Sequence, residues 1–219
     1  MRPYLLILPI IVFGSGSYGN ASTGSVEEEK STRILDIRYG DPVGERYRTL
    51  TILSDGKVVR TLGGGNERGG AFERTDPPLV SPNGHFVFLT QVESGEAGTP
   101  DGSVMHHEVA YCELVDVRSG CIVARETGEF CGGTFTRGGL WDNPIYPNFN
   151  LVTEIQGAKD YLEGRLKFTD SPISSVENLL VCDPPDADNA DVYRTILNSK
   201  LLKFDSAQRE LLERKMKSH

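Results

Sequence analysis

Short runs of alternating apolar and polar residues recur along most of this chain, and turn residues separate the runs. Residues 34–39 and 47–53 are two such runs, and a Ser-Asp-Gly-Lys turn at 54–57 leads into a third at 58–62. Alternation with a period of two residues indicates half-buried strands, and an Asp-Gly pair is typical of a tight hairpin turn. The pattern therefore predicts β structure from residue 33 to about residue 168.

The strongest predicted strand, residues 85–92, follows a Ser-Pro-Asn-Gly turn at 81–84. Both its odd and its even positions are apolar, so we expect both faces to be buried and the strand to be central in its sheet. Residues 93–104 are small and polar without a hydrophobic period, and this stretch is predicted to be a loop. Two more strands are predicted at 108–117 and 121–126.

A helical segment is predicted at the C-terminal end. Asp205, with Gln208 three residues later, has the spacing of a capping box and predicts a last helix that ends near residue 217. We expect this tail to pack on the β domain through its apolar residues, and the alternative is that it binds a partner as a helix. The apolar residues at helical spacing are Val192, Ile196, Leu197, Leu201 and Phe204.

The predicted fold is mainly β, an antiparallel sandwich or a set of blade-like meander sheets, with a C-terminal helical appendage. A closed β-propeller needs at least about four blades of about 40 residues each. The predicted β region, residues 33 to about 168, is shorter than that, so we exclude a propeller. The sequence divides into a signal peptide at 1–21, a flexible linker at 22–32, a β domain at 33–182, and a linker with the helical tail at 183–219.

The first residues predict export. Arg2 is followed by an apolar run at 4–13 and by small residues at Gly19 and Ala21, which is the pattern of a secretory signal peptide cleaved near Ala21. The run is too short to span a bilayer, and no cysteine near the cleavage position offers a site for a lipid. We therefore expect a periplasmic protein without a membrane anchor.

The formal net charge of −8 narrows the set of partners. An acidic chain is repelled by nucleic acid and by anionic lipid, so we expect neither as a ligand, and a basic protein is favoured as a partner. We predict neither a cofactor nor a resident metal ion.

The chain has four cysteines, and an even number in an oxidising compartment predicts two disulfides. Three pairings are possible. A hairpin turn at 118–120 would place Cys112 about 20 Å along its strand from Cys121, beyond the Cα separation of about 7 Å that a disulfide allows. We favour the pairs Cys112 with Cys131 and Cys121 with Cys182.

Three motifs suggest chemistry, and we prefer a structural interpretation of each. The glycine-rich stretch at 63–70 lacks the Lys-Ser or Lys-Thr of a phosphate-binding loop, so we expect its glycines to allow positive φ angles and close backbone approach. His106 or His107 could act as the base of a Cys-His hydrolase only if a free cysteine thiol lay beside it as the nucleophile. A set of aspartates lacks the glycine and glutamate of an EF-hand and predicts a solvated linker. These are Asp183, Asp186, Asp188 and Asp191.

Trp141, with Tyr146 and Phe149 nearby, is a candidate platform for stacking against a sugar. We prefer a small core under a proline-rich loop. The platform defines the alternative function, a non-catalytic periplasmic module that binds glycan or peptidoglycan.

Part of the β domain resembles a known family. The matching motifs are Arg68-Gly69-Gly70-Ala71-Phe72, Ser81-Pro82-Asn83-Gly84, Ser94-Gly95, Glu113-Leu114-Val115, Cys121-Ile122-Val123 and Arg125-Glu126. On these residues the chain resembles the periplasmic immunity proteins that neutralise family-1 amidase effectors of the type VI secretion system.

The resemblance implies a largely β, non-catalytic inhibitor that inserts a serine-bearing loop into the cleft of an amidase whose Cys-His pair cuts peptidoglycan peptides. The implied partner is a cognate secreted effector of this kind, with a basic surface. The loop corresponds here to Ser94, Gly95 and the following residues, and we expect residues 93–105 to carry the interaction. The candidate partner-binding residues are Glu93, Ser94, Gly95, Glu96, Asp101 and Ser103.

Overall fold

The computed structural model describes residues 34–64, 70–152 and 154–217. The predicted signal peptide and linker lie outside these residues, and so do residues 65–69, which include Arg68 and Gly69.

The described strands are β1 (Leu35–Val43), β2 (Arg46–Ser54), β3 (Lys57–Gly63), β4 (Ala71–Glu73), β5 (Leu79–Val80), β6 (Phe86–Gly98), β7 (Val104–Asp116), β8 (Ile122–Thr127), β9 (Thr134–Phe135) and β10 (Trp141–Asp142). The described α-helices are α1 (Ala158–Leu162), α2 (Val176–Cys182), α3 (Ala190–Asn198) and α4 (Ser206–Met216). Short 3-10 turns lie at Gly128–Cys131 and Pro172–Ser174.

The first eight strands form one antiparallel sheet in the spatial order β1-β2-β4-β6-β7-β8, with β3 also paired to β2 and β5 also paired to β6. The strands β9 and β10 form a small second sheet. The predicted mainly β fold with helices toward the C-terminus is confirmed.

The strand β6 is central, as its two apolar faces predicted. It pairs with β4 and β5 along one edge and with β7 along the other. Val87 on one face packs in a core with Leu50 and Ile52 of β2, and Phe88 on the other face lies against a second core. The strand β2 contributes to the first core although β4 lies between β2 and β6 in the sheet.

Turn chemistry joins these strands as the sequence predicts. Asp55 and Gly56 have φ angles of 51° and 75°, which is the type I′ geometry that suits a two-residue hairpin between β2 and β3. The turn at 81–84 is closed by a hydrogen bond of 2.8 Å between its first and last residues. Gly63 has a φ of 72°, and a Cβ there would lie 2.1 Å from the Arg48 carbonyl oxygen, so this position requires glycine.

The four helices build a core of their own that begins earlier than predicted. Its fully buried members include Tyr161, Tyr193, Ile196 and Leu212. The helices α1 and α2 lie within the part of the chain that the sequence assigned to the β domain, and the strands end at residue 142. The tail therefore packs mainly against other helices, where we expected it to pack on strands.

The predicted capping box at the start of α4 is confirmed. The Asp205 carboxylate accepts a hydrogen bond from the Gln208 backbone N–H at 2.8 Å, and the Gln208 side chain accepts one from the Asp205 N–H at 3.1 Å. The prediction that Leu201 packs inward is wrong, because α3 ends at Asn198 and Leu201 is 90% exposed.

The helix α2 connects the helical core to the sheet. Asn178 is buried, its Oδ1 accepts a hydrogen bond from the Ile122 N–H at 3.0 Å, and its Nδ2 donates one to the Ile122 carbonyl at 3.0 Å. Because β8 is the last strand of the sheet, this amide side chain takes the place of a neighbouring strand. The Cys121–Cys182 disulfide lies at the same junction.

Both predicted disulfides are confirmed. Cys112 bonds to Cys131 with a Cα separation of 5.6 Å, and Cys121 bonds to Cys182 with a separation of 4.8 Å. All four thiols are therefore used, and His106 and His107 have no free thiol to activate. Two disulfides indicate an oxidising, exported compartment. Among the described helices, none is long and apolar enough to cross a membrane.

Candidate functional site

The stretch predicted as a loop at 93–104 is instead the outer part of a long hairpin. The strands β6 and β7 are each 13 residues long and stay paired along their whole length. In the described parts of the chain, no third strand pairs with β6 beyond Val92 or with β7 before Tyr111. The outer hairpin, residues 93–109, is named the arm. A rise of about 3.4 Å per residue makes it about 17 Å long.

The turn at the end of the arm explains why it is a hairpin. The Thr99 carbonyl accepts a hydrogen bond from the Gly102 N–H at 2.9 Å, and the Thr99 N–H donates to the Ser103 carbonyl at 2.8 Å. Gly102 has a φ of 83°. Proline, aspartate and glycine at positions 100–102 suit the successive positions of such a turn. This tripeptide is the signal in the sequence that predicts a hairpin here.

Asp101 caps the turn with its side chain. Its carboxylate accepts hydrogen bonds from the Thr99 hydroxyl, from the Ser103 hydroxyl at 2.8 Å and from the Ser103 N–H at 3.1 Å. These hydrogen bonds, with the one from Thr99 contributing most, lower the pKa of Asp101 to about 2. The end of the arm is therefore negatively charged at any physiological pH.

The arm presents two different faces because side chains alternate along a strand. One face carries Glu93, Gly95 and Ala97 opposite Val109, His107 and Met105. The other carries Ser94, Glu96 and Gly98 opposite Glu108, His106 and Val104. The structure thus brings all six candidate residues into one arm, with Asp101 and Ser103 at its turn, but it divides the others between the two faces.

On one face, an arginine of β2 holds the root of the arm. Arg46 donates hydrogen bonds of 2.9 and 3.1 Å to the Glu108 carboxylate, and the Ser94 hydroxyl donates to the same carboxylate at 3.1 Å. The hydrogen bonds from Arg46, followed by the one from Ser94, lower the pKa of Glu108. The candidate serine is therefore part of the contact that fixes the arm.

On the other face, the root rests on Arg125 of β8, whose side chain is only 6% exposed. Its guanidinium donates to Glu113 at 3.0 Å, to Gln91 at 3.1 Å and to the carboxylate of Glu93. It also lies 3.5 Å from the centre of the Tyr111 ring, where the cation meets the electron-rich ring face. Glu93 is thus an anchor of the arm.

The arm is acidic and partly apolar. Residues 93–109 contain four carboxylates and neither lysine nor arginine. Val104 and Met105, beside the turn, are 59% and 56% exposed. We did not single out these two residues from the sequence, because an isolated Val-Met pair in a polar stretch carries no period.

The candidate sugar platform is not available. Trp141 is 3% exposed, and its ring stacks on Phe88 with centroids 4.8 Å apart. Tyr146 stacks on Phe130 at 4.6 Å at the surface, and Phe149 contacts the same Phe130 ring. These contacts form a small aromatic core, which is the interpretation that we prefer over a sugar-binding platform in the sequence analysis.

The aspartates after α2 serve helix ends and turns. Asp183 accepts hydrogen bonds from the Ala158 N–H at 2.7 Å and from Asn189 at 2.8 Å, and Asp186 accepts from the N–H groups of Asp188 and Asn189. Among the described residues, no group of three or more His, Cys, Asp and Glu side chains is arranged to hold a metal ion.

Comparison of the chain with protein-family models, with curated proteins and with solved structures found no match. Inferences about function therefore rest on the arm and its root. The arm is an exposed hairpin with a fixed base, an acidic turn and two exposed apolar side chains near its end.

Proposed function

We propose that this chain is a periplasmic immunity protein that binds a secreted cell-wall-degrading toxin, a peptidoglycan amidase, and fills its active-site cleft with the arm. The observation that carries the proposal is the arm itself, about 17 Å of two-stranded hairpin beyond the last paired neighbour strand. A narrow projection of this kind matches a cleft better than a flat surface does. The toxin's Cys-His pair would be covered without any reaction by the inhibitor.

The root contacts favour tight binding. Arg46 fixes one face of the arm through Glu108, and Arg125 fixes the other through Glu93. A hairpin that is ordered before binding loses little conformational entropy in the complex and retains more of its contact energy.

The charged and apolar side chains of the arm indicate which kind of cleft it would fill. Glu96 and Asp101, the two arm carboxylates that do not pair with an arginine at the root, would be attracted to a basic rim, which raises the association rate more than the final affinity. Val104 and Met105, which lie on opposite faces of the arm beside the turn, would each be buried against a wall of the cleft.

The compartment is consistent with this partner. The two disulfides favour an exported protein, and the signal peptide predicted at 1–21 directs export to the periplasm, where peptidoglycan lies. The resemblance to immunity proteins of amidase effectors also implies the periplasm.

The test begins with the neighbouring genes, because an immunity protein is expected beside its effector, and it uses the secreted hydrolase that we expect one of them to encode. We expect the purified protein to bind this enzyme with a nanomolar Kd, about −12 kcal/mol, and to stop its digestion of peptidoglycan. Met105→Glu should weaken binding at least 100-fold. Val58→Glu is the matched control, since Val58 is equally exposed on another hairpin, and it should bind as the parent does.

Two further variants test the root and the extent of the arm. Ser94→Arg places a bulky cation beside Arg46 and should also weaken binding. Replacing residues 96–106 by Asn-Gly removes the outer arm and should abolish inhibition. Unchanged affinity and unchanged inhibition in all three arm variants would refute the proposed plug.

The alternative of a glycan-binding module is not supported by the position of Trp141, which has no free ring face. Isolated peptidoglycan sacculi separate the two functions directly. Under our proposal the protein stays in the supernatant when sacculi are sedimented, whereas a glycan-binding module would sediment with them.

A further inference from the structure

A cavity of about 570 Å³ opens in the helical core, between α1 and the connection from α3 to α4. This volume is within the range of about 300 to 1,000 Å³ that small-molecule sites occupy. Its walls are mainly apolar side chains, which are Tyr161, Leu162, Leu166, Phe168, Leu201 and Leu202.

Two lysines lie at the open side of the cavity. Lys167 and Lys203 line it, both are exposed, and neither forms an ion pair with any described residue. Glu163 is the acidic side chain among the described lining residues, and its carboxylate lies 3.0 Å from Arg165 and 3.6 Å from Lys159. The charge of Glu163 is therefore balanced, and the two lysines are the charged side chains of the lining without an ion-pair partner among the described residues.

Leu201 indicates that the apolar wall is incomplete. This side chain lines the cavity, yet it is 90% exposed, more than any other large apolar residue in the described chain. Leu202 and Phe168, on the inner side, are partly buried against the helical core. An apolar ligand in the cavity would therefore remove Leu201 from water together with the inner wall.

We propose that this cavity binds a fatty acid, an amphiphile with a single acyl chain and a carboxylate head. The acyl chain of the ligand lies against the leucine and aromatic side chains, and its carboxylate lies between Lys167 and Lys203 at the opening. The charge of the lysines selects an anionic head, and the apolar walls select a flexible hydrocarbon tail. This site is separate from the arm and does not rest on the function proposed for it.

Calorimetric titration of the disulfide-intact protein with dodecanoate, below its micelle concentration, tests the proposal. We expect saturable binding with one ligand per chain. Each methylene removed from the tail should weaken binding by about fourfold, because each buried methylene contributes about that factor. Dodecyltrimethylammonium, with the same tail and a cationic head, should bind at least tenfold more weakly.

Charge-reversal variants locate the head group. Lys167→Glu and Lys203→Glu should each weaken dodecanoate binding at least tenfold. Lys200→Glu makes the same charge change in the same connection, but Lys200 does not line the cavity, and its affinity should equal that of the parent.

Three results would each overturn the proposal: no saturable binding of dodecanoate, equal affinity for the cationic amphiphile, or equal effects of Lys200→Glu and Lys203→Glu. The comparison of head groups uses the unaltered protein, so it remains decisive even if a variant fails to fold.

Discussion

At the scale of single residues, the arginines at the arm root differ in their surroundings. Arg46 is partly exposed to solvent, whereas Arg125 is buried with Glu113 beside it. An exposed ion pair contributes about 0 to 1 kcal/mol, but removing one partner of a buried pair costs about 3 to 5 kcal/mol because a charge is left in a poorly solvated place. Arg125 should therefore matter for folding as well as for the arm.

We expect Arg125→Met to lower the free energy of unfolding by about 3 kcal/mol, measured by urea denaturation. Arg38→Met is the control, since Arg38 pairs with Asp36 at the surface and its loss should cost less than about 1 kcal/mol. Equal losses in the two variants would contradict the structural role assigned to the buried arginine.

The turn aspartate gives a second test at this scale. Thr99→Val removes the strongest hydrogen bond to Asp101, so the pKa of Asp101 should rise from about 2 toward that of an ordinary aspartate. The ¹³C shift of its carboxyl carbon, followed as the pH is lowered, reports this midpoint. Thr61→Val, whose hydroxyl contacts Thr51 instead, should leave the midpoint unchanged. A midpoint that stays near 2 in Thr99→Val would show that the hydroxyl is not the cause.

At the scale of elements, the hairpin of β6 and β7 has a buried inner part and an exposed outer part. The inner halves of β6 and β7 are buried between neighbouring strands and two cores, and the outer halves form the arm. A two-stranded ribbon in water is marginally stable at best without such support. The arm therefore depends on the sheet, whereas the sheet has little need of the arm.

Replacing residues 96–106 by Asn-Gly, which joins Gly95 to His107, should change the free energy of unfolding by less than about 1 kcal/mol. Leu89→Ala, in the buried half of the same hairpin, should cost about 2 to 5 kcal/mol because it leaves a cavity. Guanidinium denaturation compares the two. A loss in the shortened protein as large as that in Leu89→Ala would mean that the arm packs on the body of the protein.

Elements that carry a local signal could be predicted from the sequence. Alternation predicted β1, β2 and β3, apolar positions on both faces predicted β6, the Asp55-Gly56 turn predicted a hairpin, and Asp205 with Gln208 predicted the start of α4. The helices α1 and α2 were missed because five and seven residues are too short to show a helical period. The sequence predicts a loop in place of the arm because the residues of the two arm strands are small and polar, and the Pro-Asp-Gly turn is the one local signal for a hairpin.

At the scale of the whole molecule, the protein combines a β-sheet with a helical core, and long-range contacts join them. Asn178 of α2 contacts β8, and Cys182 of α2 bonds to the residue before β8. Each contact joins residues that are about 60 positions apart in the chain. Contacts of this range could not be predicted from local patterns. For the disulfides, the hairpin excludes only a Cys112–Cys121 bond, and the favoured choice between the remaining two pairings is the one that the structure confirms.

The two disulfides should differ in their contribution to stability. They close segments of 19 and 61 residues, for Cys112–Cys131 and Cys121–Cys182 respectively. On the chain-entropy account, replacing each pair by alanines should cost about 3 and about 4 kcal/mol in that order. Guanidinium denaturation of the two double variants measures both losses. A larger loss for the Cys112–Cys131 pair would contradict this order.

The Cys121–Cys182 bond also bears on survival among extracellular proteases. The connection from β10 to α1 contains neither helix nor strand in its described residues, and irregular exposed segments are where proteases nick folded chains. A cut there would divide the polypeptide into a fragment that carries the arm and a fragment that carries the helices. The bond keeps these fragments covalently joined, so a nicked molecule persists as one particle until a reductant releases its halves.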